Sequence, residues 1–429
     1  MKIAIIGGAG VRTPLLVNGL AQSDLPIDEL ALFDIDSQRL DTIGALARTF
    51  APAVRTYADP EACVTGASFV LLSIRVGGIA ARARDEAVAV AHDTAGQETI
   101  GPGGFAMAMR TIPHAVKYAQ LVQRAAPDAW TISFTNPVGI VTEAMIKSGV
   151  SRVIGICDTP TELFEDVAGV LQLESARCYF DYLGLNHLGW IRDVYFDGEP
   201  QLHRVWGRPE LQRRLYRAPL FEPAFLDQLR LLPTEYLYYY YSADRALANI
   251  RRAGQTRGQA ILALNDQLFA ALQRPGADGR RVYEDYLAAR NAGYMQIESG
   301  ASHPLERSPW AALTGYDKIA LSVVRAIHFN ANAIIPLNVA NRGAIADLED
   351  DDVVEVPCVV NANGARPIAA GRAPDAARDL LLAVKHYERL TVAAAASGTT
   401  ADSERALAAN PLIRDNAHAA RLVGALHSW

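Results

Sequence analysis

The strongest constraint on the fold is a rhythm in the first third of the chain. Five short apolar runs, Lys2 to Ile6, Leu30 to Phe33, Phe69 to Ile74, Trp130 to Phe134 and Val153 to Ile156, read as buried strands. Each is separated from the next by enough residues for a crossover helix, which predicts an α/β fold with a Rossmann-like, doubly wound parallel sheet. Such sheets bind ligands at the carboxyl ends of their strands, so the residues that follow each run matter most. Gly7-Gly8-Ala9-Gly10-Val11-Arg12-Thr13-Pro14 follows the first run, Asp34-Ile35-Asp36 the second, Thr135-Asn136-Pro137 the fourth and Cys157-Asp158 the fifth.

After about residue 160 the rhythm changes. Arg177 to Leu185 and Trp190 to Phe196 read as strands flanking a turn that carries His187. Helical patterns then dominate to about residue 345, including Pro233 to Asn249, Arg281 to Ile297 and Asp317 to Asn330. Asp350 to Cys358 reads as a turn leading into a strand, and Asp375 to Ala396 and Asp402 to Ala409 as amphipathic helices. The expected organisation is a dinucleotide-binding domain over residues 1–160 and a mixed α+β, largely helical domain over 161–429 for substrate, metal and oligomer contacts.

The formal charge of −6 offers no basic footprint for nucleic acid or an acidic membrane surface. No apolar stretch approaches the roughly 20 residues that span a bilayer. The amino terminus runs directly into a strand and glycine turn, without the pattern of a signal peptide. Four scattered cysteines (Cys63, Cys157, Cys178, Cys358) form no disulfide framework. Together these features predict a cytoplasmic enzyme acting on a small molecule.

In the glycine turn, Gly7, Gly8 and Gly10 let backbone N–H groups approach a pyrophosphate at the next helix, with Thr13 as its cap and Pro14 in its first turn. Thr13 stands where the third glycine of the dinucleotide fingerprint belongs, so the turn alone is a weak signal. Asp34 strengthens it, because a carboxylate at the end of the second strand suits ribose hydroxyls and favours NAD over NADP. Arg75, after the third strand, is a further cofactor-binding candidate.

Cys157 alone is more often an inert buried thiol than a ligand, and His187 alone more often a satisfied polar group. Their joint position after strands suits a divalent transition metal that keeps open positions for substrate. Arg82 and the polar, glycine-dense stretch Gly96 to Phe105, with Glu98, lie where a functional loop is expected, and an arginine there suits a sugar phosphate. In Pro233-Thr234-Glu235-Tyr236-Leu237-Tyr238-Tyr239-Tyr240-Tyr241, most tyrosines read as packing, and one becomes a base if a cation or metal lowers its pKa.

These motifs, with Arg110-Thr111-Ile112-Pro113, Asn186-His187 and Val353-Val354-Glu355-Val356-Pro357-Cys358, resemble glycoside hydrolase family four nearly end to end. The pattern looks closest to the family's 6-phospho-β-glucosidases. The resemblance implies NAD and a divalent metal, typically manganese, held by Cys157 and His187. It implies substrate contacts from Arg82, Glu98, Asn136, Asn186 and Arg257. Tyr236 fits the family's base best, with Tyr239 and Tyr240 as alternatives, and Asp158 fits the leaving-group acid. Homodimers or homotetramers are also implied.

The implied reaction hydrolyses (6-phospho-)glucosides through transient oxidation at C3, loss of the C2 proton, elimination and water addition, with NAD regenerated. One departure bears on specificity. The β-acting relatives usually have Cys-Asn where this chain has Cys157-Asp158, a pair that resembles α-acting members. A malate- or lactate-type dehydrogenase is the alternative and would accumulate NADH; a non-catalytic sugar or NAD sensor would bind without turnover.

Overall fold

The computed structural model describes residues 1–216, 218–301 and 315–426. Its frame, among the described residues, is a thirteen-stranded sheet. In chain order the strands are β1 (Lys2–Ile6), β2 (Glu29–Phe33), β3 (Val54–Tyr57), β4 (Ala67–Leu72), β5 (Trp130–Ser133), β6 (Val153–Gly155) and β7 (Cys178–Leu185). They continue with β8 (Leu188–Phe196), β9 (Glu199–Pro200), β10 (Leu232–Pro233), β11 (Ala333–Ala340), β12 (Val353–Asn361) and β13 (Gly364–Pro367).

The first six strands lie parallel in the order β3-β2-β1-β4-β5-β6, the doubly wound arrangement that the apolar rhythm predicts. Ile3, Ala4, Ile5, Leu32, Val70, Leu71 and Ile132 are all buried, so adjacent positions along each strand are covered on both faces. That is why these strands read as continuous apolar runs. The edge strand β3 escapes this reading because Val54-Arg55-Thr56-Tyr57 buries only its first residue.

The sheet continues past β6. Strand β11 adds antiparallel through Asn338 opposite Gly155, β12 pairs along the whole of β11, and β7 meets β12 through Glu355 opposite Gly184. Strand β8 then pairs with β7, and β10 with β8. Gly155, Asn338, Glu355 and Gly184 therefore form one row across four strands.

The second half of the chain is mixed α+β, with more strand than its helical patterns indicate. Ala333–Ala340 falls within a stretch read as helical but forms β11, since a short apolar run carries no decisive period. Pro233 to Asn249 is one pattern but several elements: β10, a 3-10 turn Glu235–Leu237, and the helices Tyr238–Tyr241 and Ala243–Ala253. Arg281 to Ile297 likewise divides into the helices Gly279–Ala292 and Gln296–Ser299, separated where Met295 takes φ of 52°. The helix Asn416–Leu426 lies beyond the predicted elements.

Gly96 to Phe105 is not a solvated loop. Gln97, Thr99 and Ile100 are buried, and the helix Gly101–Ala125 begins inside the stretch. A Cβ on Gly103 would lie 2.2 Å from the Gln97 carbonyl oxygen, and one on Gly104 2.0 Å from that of Thr99. The glycines are there so that the helix can press against the segment preceding it.

A buried ion network ties the helices behind the sheet. Lys385 Nζ, on the helix Asp375–Ser397, donates to Glu143 Oε2 at 2.9 Å and to the Val353 carbonyl at 2.8 Å, and pairs with Glu388 Oε2 at 2.5 Å. Glu143 lies on the helix Val138–Lys147 and also accepts from the Val353 N–H at 3.1 Å. Burial alone would raise the Glu143 carboxyl, but Lys385 and the Val353 N–H hold it below its ordinary value. Its stabilisation is thus present at neutral pH and is lost as the pH falls through the folded-state value. Glu143→Leu should cost about 3 kcal/mol, measured by denaturant unfolding at neutral pH, with a smaller difference from the parent on acidification. A loss below about 1 kcal/mol, or one that grows on acidification, contradicts this role.

Candidate active site

The crevice at the carboxyl ends of β1, β4, β5 and β6 gathers most of the candidate residues. After β1, the Gly7 and Gly8 N–H groups both donate to the Phe33 carbonyl, at 3.0 and 2.8 Å. Gly7 has φ of 91°, and a Cβ there would meet the Ser73 carbonyl oxygen at 2.1 Å, so the turn admits no side chain. Gly10 closes the turn by donating to the Gly7 carbonyl at 3.1 Å. Thr13 is the first residue of the helix Thr13–Ala21 rather than its cap; Arg12 precedes it, and no side chain caps the helix. Within its first turn the Thr13 N–H donates to the Gly10 carbonyl at 3.0 Å and the Leu16 N–H to the Arg12 carbonyl at 3.1 Å, and Pro14 has no N–H.

Asp34 sits beside this turn, as expected. Its Oδ2 accepts from the Ala9 N–H at 3.0 Å and its Oδ1 from the Asp36 N–H at 3.1 Å. Burial raises its carboxyl above the ordinary value although both N–H groups oppose the shift. The Arg75 guanidinium pairs with Glu98 Oε2 at 2.6 Å.

Glu98 is the centre of a cationic cluster. Its Oε1 lies 2.9 Å from Arg82, whose Nε donates to Glu86 at 2.7 Å, and Glu86 Oε2 accepts from the Gly258 N–H at 2.6 Å. Burial would raise the Glu98 carboxyl, but Arg75 and Arg82 hold it well below the usual range, with help from Arg290. Arg257 begins the helix Arg257–Leu272, which a Thr256/Gln259 capping box fixes, and it donates to the Arg290 carbonyl at 2.6 Å. Burial and the neighbouring charge of Arg290 lower the Arg257 guanidinium, as burial lowers that of Arg290. Arg82, Arg257 and Arg290 thus feel one another's charge, an arrangement that an anion relieves.

Cys157 and Asp158 follow β6 directly. Asp158 precedes the helix Thr159–Leu171 without capping it, and its Oδ2 faces Arg12 at 3.5 Å. The Arg12 guanidinium lies 4.7 Å over the Tyr316 ring, and the Tyr316 hydroxyl bonds Ser73 Oγ at 2.7 Å. These contacts join the cofactor turn, the end of β4 and Asp158.

His187 projects from the β7–β8 turn, where its backbone is left-handed with φ of 63°. Its ring stacks on Tyr236 at 3.8 Å with 2° between planes. Burial pushes the imidazole down to about 4, so it is neutral at physiological pH, the form that ligates a metal. The adjacent Asn186 Nδ2 donates to Glu355 Oε1 at 3.4 Å, Asn338 Nδ2 donates to the same oxygen at 2.8 Å, and the Tyr182 hydroxyl donates to Oε2 at 2.7 Å. Burial lifts Glu355 to about 7. Burial also raises the Cys157 thiol well above its ordinary value, and Glu355 and Asp158 raise it further. Glu355 is thus the electrostatic link between the cysteine and histidine sides of the crevice. A metal suits this donor set: a thiol that gains from a cation beside it, and a buried neutral imidazole.

Asn136 lies between β5 and the helix Val138–Lys147, and that helix approaches the His187 turn, since a Cβ on Gly139 would come within 3.2 Å of Asn186 Cβ. Among the tyrosines the structure pairs only Tyr236 with His187, and Tyr239 lies one ring further back at 6.4 Å from Tyr236. Tyr236 also meets the Tyr294 hydroxyl at 3.2 Å. Burial pushes the Tyr236 phenol well above its ordinary value and Glu235 adds to this; the hydrogen bond from Tyr294 opposes the shift without offsetting it, so the protein alone does not lower the phenol as the sequence reading requires of a base.

Sequence reasoning missed Arg12, Glu86, Arg290, Tyr294, Tyr316 and Glu355. Glu355 carried a legible signal, a lone carboxylate inside the apolar run Val353-Val354-Glu355-Val356. Arg12 carried a weaker one, a cation in a glycine turn.

Residues 2–173 match the family described as family 4 glycosyl hydrolase, and residues 182–413 match the C-terminal domain of the same family. A Bacillus subtilis (strain 168) relative named "Probable 6-phospho-beta-glucosidase" is 31% identical, over 96% of this chain and 92% of its own length. The 6-phospho-beta glucosidase from Thermotoga maritima, solved with manganese, NAD+ and glucose-6-phosphate, superimposes with a TM-score of 0.83 at 27% identity, covering 99% of this chain and 97% of that one. A 6-phospho-alpha-glucosidase from gut microorganisms, solved with NAD and Mn2+, gives 0.80 at 26% identity, again over 99% and 97%. With both halves of the chain matched, the protein belongs to glycoside hydrolase family 4.

Proposed function

We propose that the chain hydrolyses 6-phospho-β-glucosides, using NAD and a divalent metal, manganese, in a cytoplasmic homodimer or homotetramer. The observation that carries this reading is the stack of Tyr236 on His187, with Asp158 and Arg82 near enough for their charges to act on it. In this reading residues 1–160 bind the dinucleotide and 161–429 complete the sugar site, with Cys157 at their junction. No helix among the described residues is long and apolar enough to cross a membrane.

The glycine turn and the helix Thr13–Ala21 take the pyrophosphate, and Asp34 takes a ribose hydroxyl. Cys157 and His187 hold the metal. When bound, the nicotinamide supplies a reversible hydride acceptor at sugar C3 and the metal a Lewis acid that acidifies the C2 hydrogen. The Tyr236 phenol oxygen removes the C2 proton, and Asp158 gives a proton to the glycosidic oxygen. Arg82 and Arg257 bind the sugar phosphate, Asn136 and Asn186 orient the ring, and Glu98 keeps Arg75 and Arg82 in place. A second reading, α-linked substrates, is favoured by Asp158, which resembles the α-acting members.

Nitrophenyl glucosides of both anomers, with and without a 6-phosphate, test this with NAD+, Mn2+ and reductant present. The β-linked phosphate should turn over fastest without net NADH; preference for the α-linked phosphate selects the second reading, and preference for unphosphorylated sugars contradicts both.

Tyr236→Phe should lower kcat by about 10²–10⁴-fold while Tyr239→Phe changes it by less than about tenfold. The reverse ranking assigns the base to the wrong tyrosine.

Cys157→Ser and His187→Ala should each abolish Mn2+-dependent turnover while NAD+ affinity, followed by fluorescence titration, stays within about threefold. Full activity of either variant in chelator removes the ligand assignment.

A further inference from the structure

Behind His187, on the side of the helix Asp375–Ser397, lies a cavity of about 10 Å³ lined by Thr99, Gly139, Asn186, His187, Tyr240 and Glu388, among others. That is room for the centre of about one water molecule. Cys157 does not line it, so it is separate from the space between the two proposed metal ligands. Its lining residues carry buried polar atoms without a hydrogen-bond partner among the described residues: Thr99 Oγ1, Asn186 Oδ1 and His187 Nδ1, with the Tyr387 hydroxyl and Glu388 Oε2. Unpaired buried polar groups are costly, so such groups around one cavity call for a shared partner.

The acidic group of this lining is the Glu388 carboxylate. Its Oε1 lies 3.6 Å from a Cβ position built on Gly139, a point that is itself 3.2 Å from Asn186 Cβ. Glu388 is held there through Lys385, which pairs with it at 2.5 Å and with Glu143 at 2.9 Å. Glu143 in turn bonds Lys147 at 3.0 Å near the surface. The carboxylate is therefore fixed by a charge chain that reaches across two helices.

We infer that Glu388 is the positioning residue of His187, acting through one buried water held with Thr99 and Asn186. The hydrogen-bond inventory closes around such a water. It accepts from His187 Nδ1–H and from the Thr99 hydroxyl, and donates to the Glu388 carboxylate and to Asn186 Oδ1. A proton fixed on Nδ1 leaves the Nε2 lone pair for the metal, and the stack on Tyr236 fixes the ring plane. The inference rests on the proposed metal role of His187, and it assigns to Glu388 a function that contact with substrate does not require.

The test compares Glu388→Leu, Glu388→Gln and Thr99→Val in the full-length protein, with Mn2+ and NAD+ affinities measured separately by calorimetry. Both Glu388 variants remove the charge opposite Lys385 and share any structural penalty, but only leucine removes the acceptor. Glu388→Leu should weaken Mn2+ binding by about 10–100-fold, the range typical for lost outer partners of a metal ligand, and Glu388→Gln by less than about threefold. Thr99→Val, which leaves the ion pair intact, should weaken it by about three- to tenfold. NAD+ binding should be unchanged in all three, which also establishes that each is folded. Parental Mn2+ affinity in both Glu388→Leu and Thr99→Val overturns the inference, as does equal weakening in the leucine and glutamine variants. A parent protein that binds no Mn2+ instead overturns the metal assignment itself, and this inference with it.

Discussion

The site depends on how β6 continues the sheet. In a simple doubly wound fold β6 is an edge, and the crevice beyond it is closed by loops. Here β11 adds to it through Asn338 opposite Gly155, and β12 and β7 follow. Close approach is built in: a Cβ on Gly155 would lie 2.9 Å from Asn338 Cβ. The resulting row ends at Gly184, three residues before His187, and carries Glu355 in its middle. Glu355 receives hydrogen bonds from Tyr182, Asn186 and Asn338, so the histidine turn is registered against the cysteine strand by a single buried carboxylate. Loss of that register would leave two unrelated buried side chains.

Electrostatics then divides the crevice into two halves. On one side, burial keeps His187 neutral and raises the Cys157 thiol and the Tyr236 phenol, so the imidazole is ready to ligate and the other two are poised to lose a proton on meeting positive charge. On the other, Arg75, Arg82 and Arg290 act on Glu98, and Arg257 feels the charge of Arg290 and Arg82, so positive charge gathers there. The protein alone does not make Tyr236 a base. The arrangement is completed by a cation on the histidine side and an anion on the arginine side, matching a metal and a sugar phosphate.

Much of this was legible in the sequence. The parallel strands were readable because continuous apolar runs require cover on both faces, and Gly7, Asp34, Cys157 and Asp158 follow from strand ends alone. The candidate pair Cys157 and His187 was visible for the same reason. Elements with mixed or ambiguous patterns were not: β3 is polar at an edge, and β11 is a short apolar run beside helical ones. The pairing of Arg75 with Glu98 was not legible, because it is a contact across 23 residues with no local signal. The glycines at Gly103 and Gly104 read as loop because sequence does not show which backbone they approach. Arg290 and Tyr294 lay outside any motif, and only the return of the helix Gly279–Ala292 brings them to the site.

The central claim is that glycosidic cleavage here proceeds through loss of the C2 proton to Tyr236 rather than by direct displacement at C1. Turnover of a 6-phosphoglucoside in deuterated water, with NAD+ and Mn2+, tests it most directly when the released sugar is analysed at C2. The account predicts deuterium at that carbon and no turnover without NAD+. A released sugar that keeps its C2 hydrogen, formed equally well without NAD+, would contradict it.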